Sequence, residues 1–73
     1  MSRSETLSAK RIIRSEMVRR DVSYQELADR LAEAGENFSE AALRNKVSRG
    51  SFTADFFLSV LAVMNVETLR LTE

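Results

Sequence analysis

Residues 22–50 read VSYQELADRLAEAGENFSEAALRNKVSRG, and this stretch decides the fold. It contains two amphipathic segments, and each begins at a serine, Ser23 or Ser39, of the kind that caps a helix N-terminus. Gly35 ends the first segment and Gly50 ends the second, because glycine readily adopts the left-handed conformation that follows many helices. The stretch therefore predicts two short helices, helix 2 and helix 3, joined as in a helix-turn-helix.

Helix 2 has the clearest start in the chain. Glu26 lies three residues after Ser23, which is the spacing of a capping box, and Val22 and Leu27 are spaced as a hydrophobic staple. Glu26 and Arg30 are also ordered for an i,i+4 ion pair that contributes about 0.2–0.5 kcal/mol. Apolar and acidic side chains then fall on opposite sides of the helix, which predicts one buried face and one solvated face.

One more helix is predicted on each side of this pair. Helix 1 is expected from about Glu5 to Arg20, and Asp21 is expected to end it because Asp tolerates the left-handed conformation. Helix 4 follows a Thr53 cap and is apolar nearly all round, which predicts burial at the centre of the bundle or at a subunit interface. The last segment, residues 66–73, suits either a strand or a last helical turn.

Length and pattern together predict the architecture. The 73 residues form one domain, spanning 1–73, near the lower size limit for a self-sufficient core, with residues 1–4 expected to be disordered. The elements are helical and their connections short, which predicts an all-α bundle of four to five helices containing a helix-turn-helix with an extended turn. The apolar runs are too short to span a membrane and no signal peptide is evident, so we expect a cytoplasmic protein without membrane contact.

Composition argues against catalysis. The chain has no Cys and no His, so thiolate metal sites and the usual nucleophile–base pairs are missing. Gly35 and Gly50 are its two glycines, which leaves no glycine-rich phosphate loop. The acidic side chains of helix 2 are typical of a solvated helix face. We therefore expect a protein that is not an enzyme and that takes no cofactor, no metal and no small-molecule ligand.

The formal net charge is zero, but the basic residues fall in two blocks. Residues 1–20 carry six bases against two acids, and residues 44–50 carry three bases and no acid. Residues 21–43 carry six acids against the single base Arg30. A domain with this distribution can present a basic face to phosphates while its far side stays acidic.

The string VSYQELADRL resembles the start of the helix-turn-helix in phage-repressor-like (XRE-type) DNA-binding domains, where the pattern is apolar, Ser/Thr, Gln, x, Glu, Leu, Ala. The resemblance covers roughly residues 12–66. Tyr24 stands where that family has a Gln that touches phosphate and braces the recognition helix, and the connection AEAGENF is longer than the family's tight turn. The chain is also similar to a group of short bacterial proteins known as a domain of unknown function.

The resemblance implies a DNA-binding transcriptional regulator whose recognition helix, about residues 39–49, enters the major groove of double-stranded DNA. Arg44 suits guanine, Asn45 suits adenine and Ala41 suits a thymine methyl group. Lys46 and Arg49 are expected at phosphates. The complete set of expected DNA-binding residues is Ser23, Tyr24, Ser39, Ala41, Arg44, Asn45, Lys46, Ser48 and Arg49. Additional contacts to the DNA backbone are expected from Lys10, Arg11 and Arg14.

The alternative is a helical protein-interaction or dimerisation module that does not bind DNA. The charged residues of helix 3 would then be only a solvated surface, and the apolar helix 4 and the zero net charge favour this interpretation. The DNA-binding hypothesis itself predicts a homodimer, because helix-turn-helix proteins usually pair to read two half-sites. We expect the dimer contact at helix 4 or at the tail from Val66 to Leu71.

Overall fold

The computed structural model describes residues 8–69, and four α-helices make up its regular structure. They are α1 Ala9–Arg20, α2 Tyr24–Glu33, α3 Glu40–Arg49 and α4 Ala54–Val63. This confirms the all-α bundle expected from the sequence. The expected disorder of residues 1–4 concerns a segment outside the described residues. Among residues 8–69, no helix has the length and apolar character needed to cross a membrane.

Every helix begins at a hydroxyl side chain that accepts the backbone N–H three residues further on. These caps are Ser8, Ser23, Ser39 and Thr53. The expected start of α1 near Glu5 was wrong. Ser8 has extended backbone angles (φ −68°, ψ 127°) and its Oγ accepts the N–H of Arg11, so the helix begins at Ala9.

Only half of the predicted capping box forms at the start of α2. Ser23 Oγ accepts the N–H of Glu26 at 3.1 Å. The Glu26 carboxylate does not turn back towards Ser23 but meets Arg30, with Oε2 and Nη2 2.7 Å apart. The i,i+4 pair predicted between these residues is thereby confirmed, because the ion pair and the return half of the box compete for one carboxylate.

Left-handed residues follow all four helices, at Asp21, Gly35, Gly50 and Asn65. The stop signals at Asp21, Gly35 and Gly50 are therefore confirmed. Residues 34–39 separate α2 from α3, so the turn is extended as expected. Asn65 follows α4 in the left-handed conformation (φ 62°), which ends the helix. Residues 66–69 form neither the strand nor the helical turn considered for the tail. Residues 70–73 lie outside the described residues.

The core lies between the two pairs of helices, since α1 and α2 each pack on both α3 and α4. Leu43 and Val47 are fully buried, which confirms the predicted inner face of α3. The burial predicted for α4 holds for only part of its surface, because Leu58 is 60% exposed. The largest fully buried side chains are Ile13, Leu27, Leu31, Leu43, Met64, Val47 and Val60.

Two arginines hold the C-terminal end of α4. Arg20 Nη1 donates to the carbonyl oxygens of Met64 and Asn65 at 3.2 and 3.3 Å. Arg30 Nη1 donates to the carbonyl oxygen of Val63 at 3.0 Å. Both cations satisfy carbonyl groups that the helix leaves without partners and complement the negative end of its dipole. These contacts join α1 and α2 to α4, and none of them involves α3.

Candidate nucleic-acid interface

The outer side of α3 carries five side chains that the sequence placed there. Burial of Leu43 and Val47 sets the rotation of the helix, and at 100° per residue the opposite side follows from it. The exposed residues on that side are Ala41, Arg44, Asn45, Ser48 and Arg49. They form a polar and basic surface on one short helix.

The two basic blocks of the sequence meet at Ser48. Lys10 Nζ donates to the carbonyl oxygen of Ser48 at 3.0 Å, and Arg14 Nη2 donates to its Oγ at 3.1 Å. Both donors lie on α1, and the acceptor lies in the last turn of α3, where a cation also complements the helix dipole. Lys10, Arg14 and Arg44 are called the basic face below.

An open groove of about 760 Å³ runs beside the basic face, between α1, the start of α2 and α3. Its polar walls include Arg14, Arg44, Ser23, Tyr24 and Ser48, and Met17, Val18 and Val22 form apolar parts of the lining. Asp21 and Glu26 also line it, so the groove carries two cations and two acids. The two cations of the lining lie on α1 and α3, whereas Glu26 lies on α2 and Asp21 directly follows α1.

Arg44 is held by two neighbours within this groove. Its guanidinium carbon lies 4.8 Å from the centroid of the Tyr24 ring, which is a cation–π geometry. Its Nη2 donates to Glu40 Oε2 on the preceding turn of α3. The side chain is nevertheless 56% exposed. Arg44 thus makes two intramolecular contacts while more than half of its side chain stays in solvent.

The remaining predicted residues occupy two other settings. Lys46 Nζ lies 5.2 Å from the centroid of the Phe56 ring, about 200° around α3 from Arg44, so Lys46 is separated from the basic face. Ser39 Oγ accepts the N–H of Ala42 at 3.0 Å, and Ser23 likewise acts as a helix cap. Contacts from all three to phosphate remain predictions.

The sequence did not indicate three of the contacts that organise this surface. The charge blocks predicted basic clusters, but the meeting of Lys10 and Arg14 at Ser48 joins residues 38 and 34 positions apart. Tyr24, an expected DNA contact, is half-buried with its ring against the Arg44 guanidinium, and its contact to phosphate stays a prediction. Among residues 8–69, no three His, Cys, Asp or Glu side chains are gathered in a way that could hold a metal ion.

Comparison with protein families matches residues 7–69 to one described as "Domain of unknown function (DUF6471)". The similarity to a domain of unknown function that the sequence indicated is thereby confirmed, and the match extends over nearly the whole chain. Comparison with curated proteins and with solved structures found no match.

Proposed function

We propose that this chain, which belongs to the DUF6471 family, binds double-stranded DNA as a small transcriptional regulator of the phage-repressor-like type. In this proposal α3 lies in the major groove, with α2 across the DNA backbone. The observation that carries it is the convergence of Lys10 and Arg14 on Ser48, beside the exposed outer side of α3. Such a regulator acts where the DNA is, in the cytoplasm.

The arrangement supplies both kinds of contact that a DNA reader needs. Phosphate contacts fix the position of a protein on the duplex, and contacts to base edges provide specificity. Lys10 and Arg14 flank α3 at the side where a phosphate backbone would run if α3 entered the major groove. Arg44 and Asn45 are exposed on the helix itself and have the donors and acceptors that guanine and adenine recognise.

The acidic residues near the basic face are expected to weaken the binding of DNA. Asp21 and Glu26 line the same groove as Arg14, and Glu40 contacts Arg44. These carboxylates oppose a polyanion, so the proposed binding depends strongly on contact geometry and is easily screened. We expect affinity that is measurable at low salt and that falls steeply as salt is raised.

The test is a titration with random-sequence duplex DNA at several salt concentrations. Arg14→Gln removes one proposed phosphate contact, and we expect it to weaken binding and to reduce the slope of log affinity against log salt by about 1. Arg19→Gln is the matched control, because Arg19 lies on the same helix with its side chain 68% exposed and away from the basic face. Absence of binding by the wild-type protein at low salt, or equal losses in the two variants, would contradict the proposal.

A protein-interaction module is the second candidate, and one observation favours it. Val18 is 82% exposed beside the groove and Leu58 is 60% exposed on α4, which leaves apolar area available for a partner. The homodimer predicted from the sequence uses α4, where Leu58 lies, or the tail from Val66 to Leu71. Sedimentation of the wild-type protein and of Leu58→Glu measures this directly. Dimerisation without any DNA binding would establish the interaction module in place of the regulator.

A further inference from the structure

We infer that Tyr24 and Glu40 are positioning residues that hold Arg44 for recognition of a guanine base. The inference rests on the proposed function and adds to it, because it names the residues that determine specificity at one base pair. It starts from the cation–π contact between Tyr24 and Arg44 and from the ion pair between Arg44 and Glu40.

The two contacts act on the guanidinium from different elements. Tyr24 is the first residue of α2, so its ring links the start of that helix to the middle of α3. Glu40 is the first residue of α3 and lies one turn before Arg44. An aromatic ring centred 4.8 Å from the guanidinium carbon and a carboxylate at Nη2 together restrict the orientation of the guanidinium.

A guanidinium held in this way still has donors to offer. It carries five N–H groups, and Glu40 engages it through Nη2 alone. The side chain is 56% exposed, so an edge with N–H groups remains open to a ligand. Recognition of guanine requires two parallel N–H groups directed at O6 and N7, which is the kind of orientation that a fixed plane provides.

The need for orientation distinguishes a base contact from a phosphate contact. A phosphate can be approached from many directions, whereas a bidentate contact to guanine depends on the plane and angle of the guanidinium. Without contacts inside the protein, Arg44 would lose the conformational entropy of a long flexible side chain when DNA binds. Its two intramolecular contacts remove much of that freedom beforehand, which favours a specific complex over a nonspecific one.

The experiment selects duplexes from a randomised library and measures two quantities for each variant. They are the preference for guanine at each position of the selected site and the salt slope of binding. For Tyr24→Leu we expect the guanine preference to fall about tenfold at one position, because a good bidentate contact is worth one or more factors of ten, while the salt slope stays unchanged. Tyr24→Phe retains the ring and should retain the preference. Arg44→Ala should lose it at the same position, and combining Tyr24→Leu with Arg44→Ala should add no further loss there.

Glu40→Ala provides a second test with opposite signs. Loss of a negative charge beside the DNA should raise affinity for random duplex, whereas loss of the positioning contact should lower the guanine preference. Far-UV circular dichroism at the assay temperature establishes that each variant is folded. If Tyr24 had a purely structural role, Tyr24→Leu would instead leave part of the protein unfolded, and binding to all sequences would fall by that fraction.

The outcomes separate this inference from the proposed function. If the wild-type protein selects no duplex, the DNA-binding proposal fails and the positioning role fails with it. If the wild-type protein selects a site, but Tyr24→Leu and Glu40→Ala both select it with an unchanged guanine preference, DNA binding stands and the positioning role alone is refuted.

Discussion

Arg20→Ala is expected to be the most damaging single charge removal in this domain. Glu16 is only 7% exposed, and among the described residues it is the one charged side chain that is buried. Arg20 Nε lies 3.0 Å from Glu16 Oε1, while its Nη1 serves the carbonyls of Met64 and Asn65. The substitution therefore leaves a buried carboxylate without its nearest cation and also removes donors from the end of α4.

The magnitude follows from these contacts. A hydrogen bond to a charged group contributes about 1.5–3 kcal/mol, and a cation at a helix C-terminus adds about 0.3–1 kcal/mol. The Arg20 side chain is 33% exposed, so we place the loss at about 2–3 kcal/mol, below the roughly 3–5 kcal/mol typical of fully buried pairs. A domain of this size seldom has more than about 3–5 kcal/mol of net stability, so the variant is expected to be close to unfolding.

Urea unfolding followed by far-UV circular dichroism measures the effect, and thermal unfolding should show a midpoint lowered by about 10–20 °C. Arg19→Ala is the control, because Arg19 Nη1 lies 3.8 Å from the same carboxylate with its side chain 68% exposed. We expect that variant to lose no more than about 0.5 kcal/mol. Equal losses of stability in the two variants would mean that burial of Glu16 does not raise the contribution of its pairing with Arg20 to the unfolding free energy. That result would refute the reasoning.

Two other stability predictions concern the helices that form the candidate interface. Leu43→Ala should cost about 2–5 kcal/mol because Leu43 is fully buried, whereas Asn45→Ala, on the exposed side of the same helix, should change the unfolding free energy by less than about 0.5 kcal/mol; similar urea midpoints for the two would argue against the proposed rotation of α3. Ser39→Ala should cost about 1 kcal/mol by removing the acceptor for the Ala42 N–H, whereas Ser39→Asp keeps an acceptor at the cap and should cost little; equal losses for the two would show that the cap does not act through an accepting side-chain oxygen.

Local patterns predicted the helices well because caps and stops act within a few residues. Ser23, Ser39 and Thr53 start helices as expected, and Asp21 and Gly50 follow helices in the left-handed conformation. Errors arose where two local options competed. The prediction began α1 near Glu5, but Ser8 is the cap that the chain uses.

The candidate site was less predictable than the fold. Exposure of Arg44, Asn45 and Arg49 followed from helical periodicity, once Leu43 and Val47 were assigned to the core. Periodicity contains no information about partners on other helices. It did not indicate that Tyr24 contacts Arg44, or that Lys46 lies over Phe56 rather than beside the basic face.

The amino-acid sequence by itself determined four helices and the caps of three of them, the inward face of α3 and the presence of two separate basic blocks, because each of these depends on neighbours within one or two helical turns. Only the tertiary structure decided that Lys10 and Arg14 reach Ser48 and that Arg44 is held against Tyr24. Those contacts depend on how α1, α2 and α3 cross, and the crossing is set by packing in the shared core. A charge pattern along a chain becomes a surface only when packing brings distant segments together.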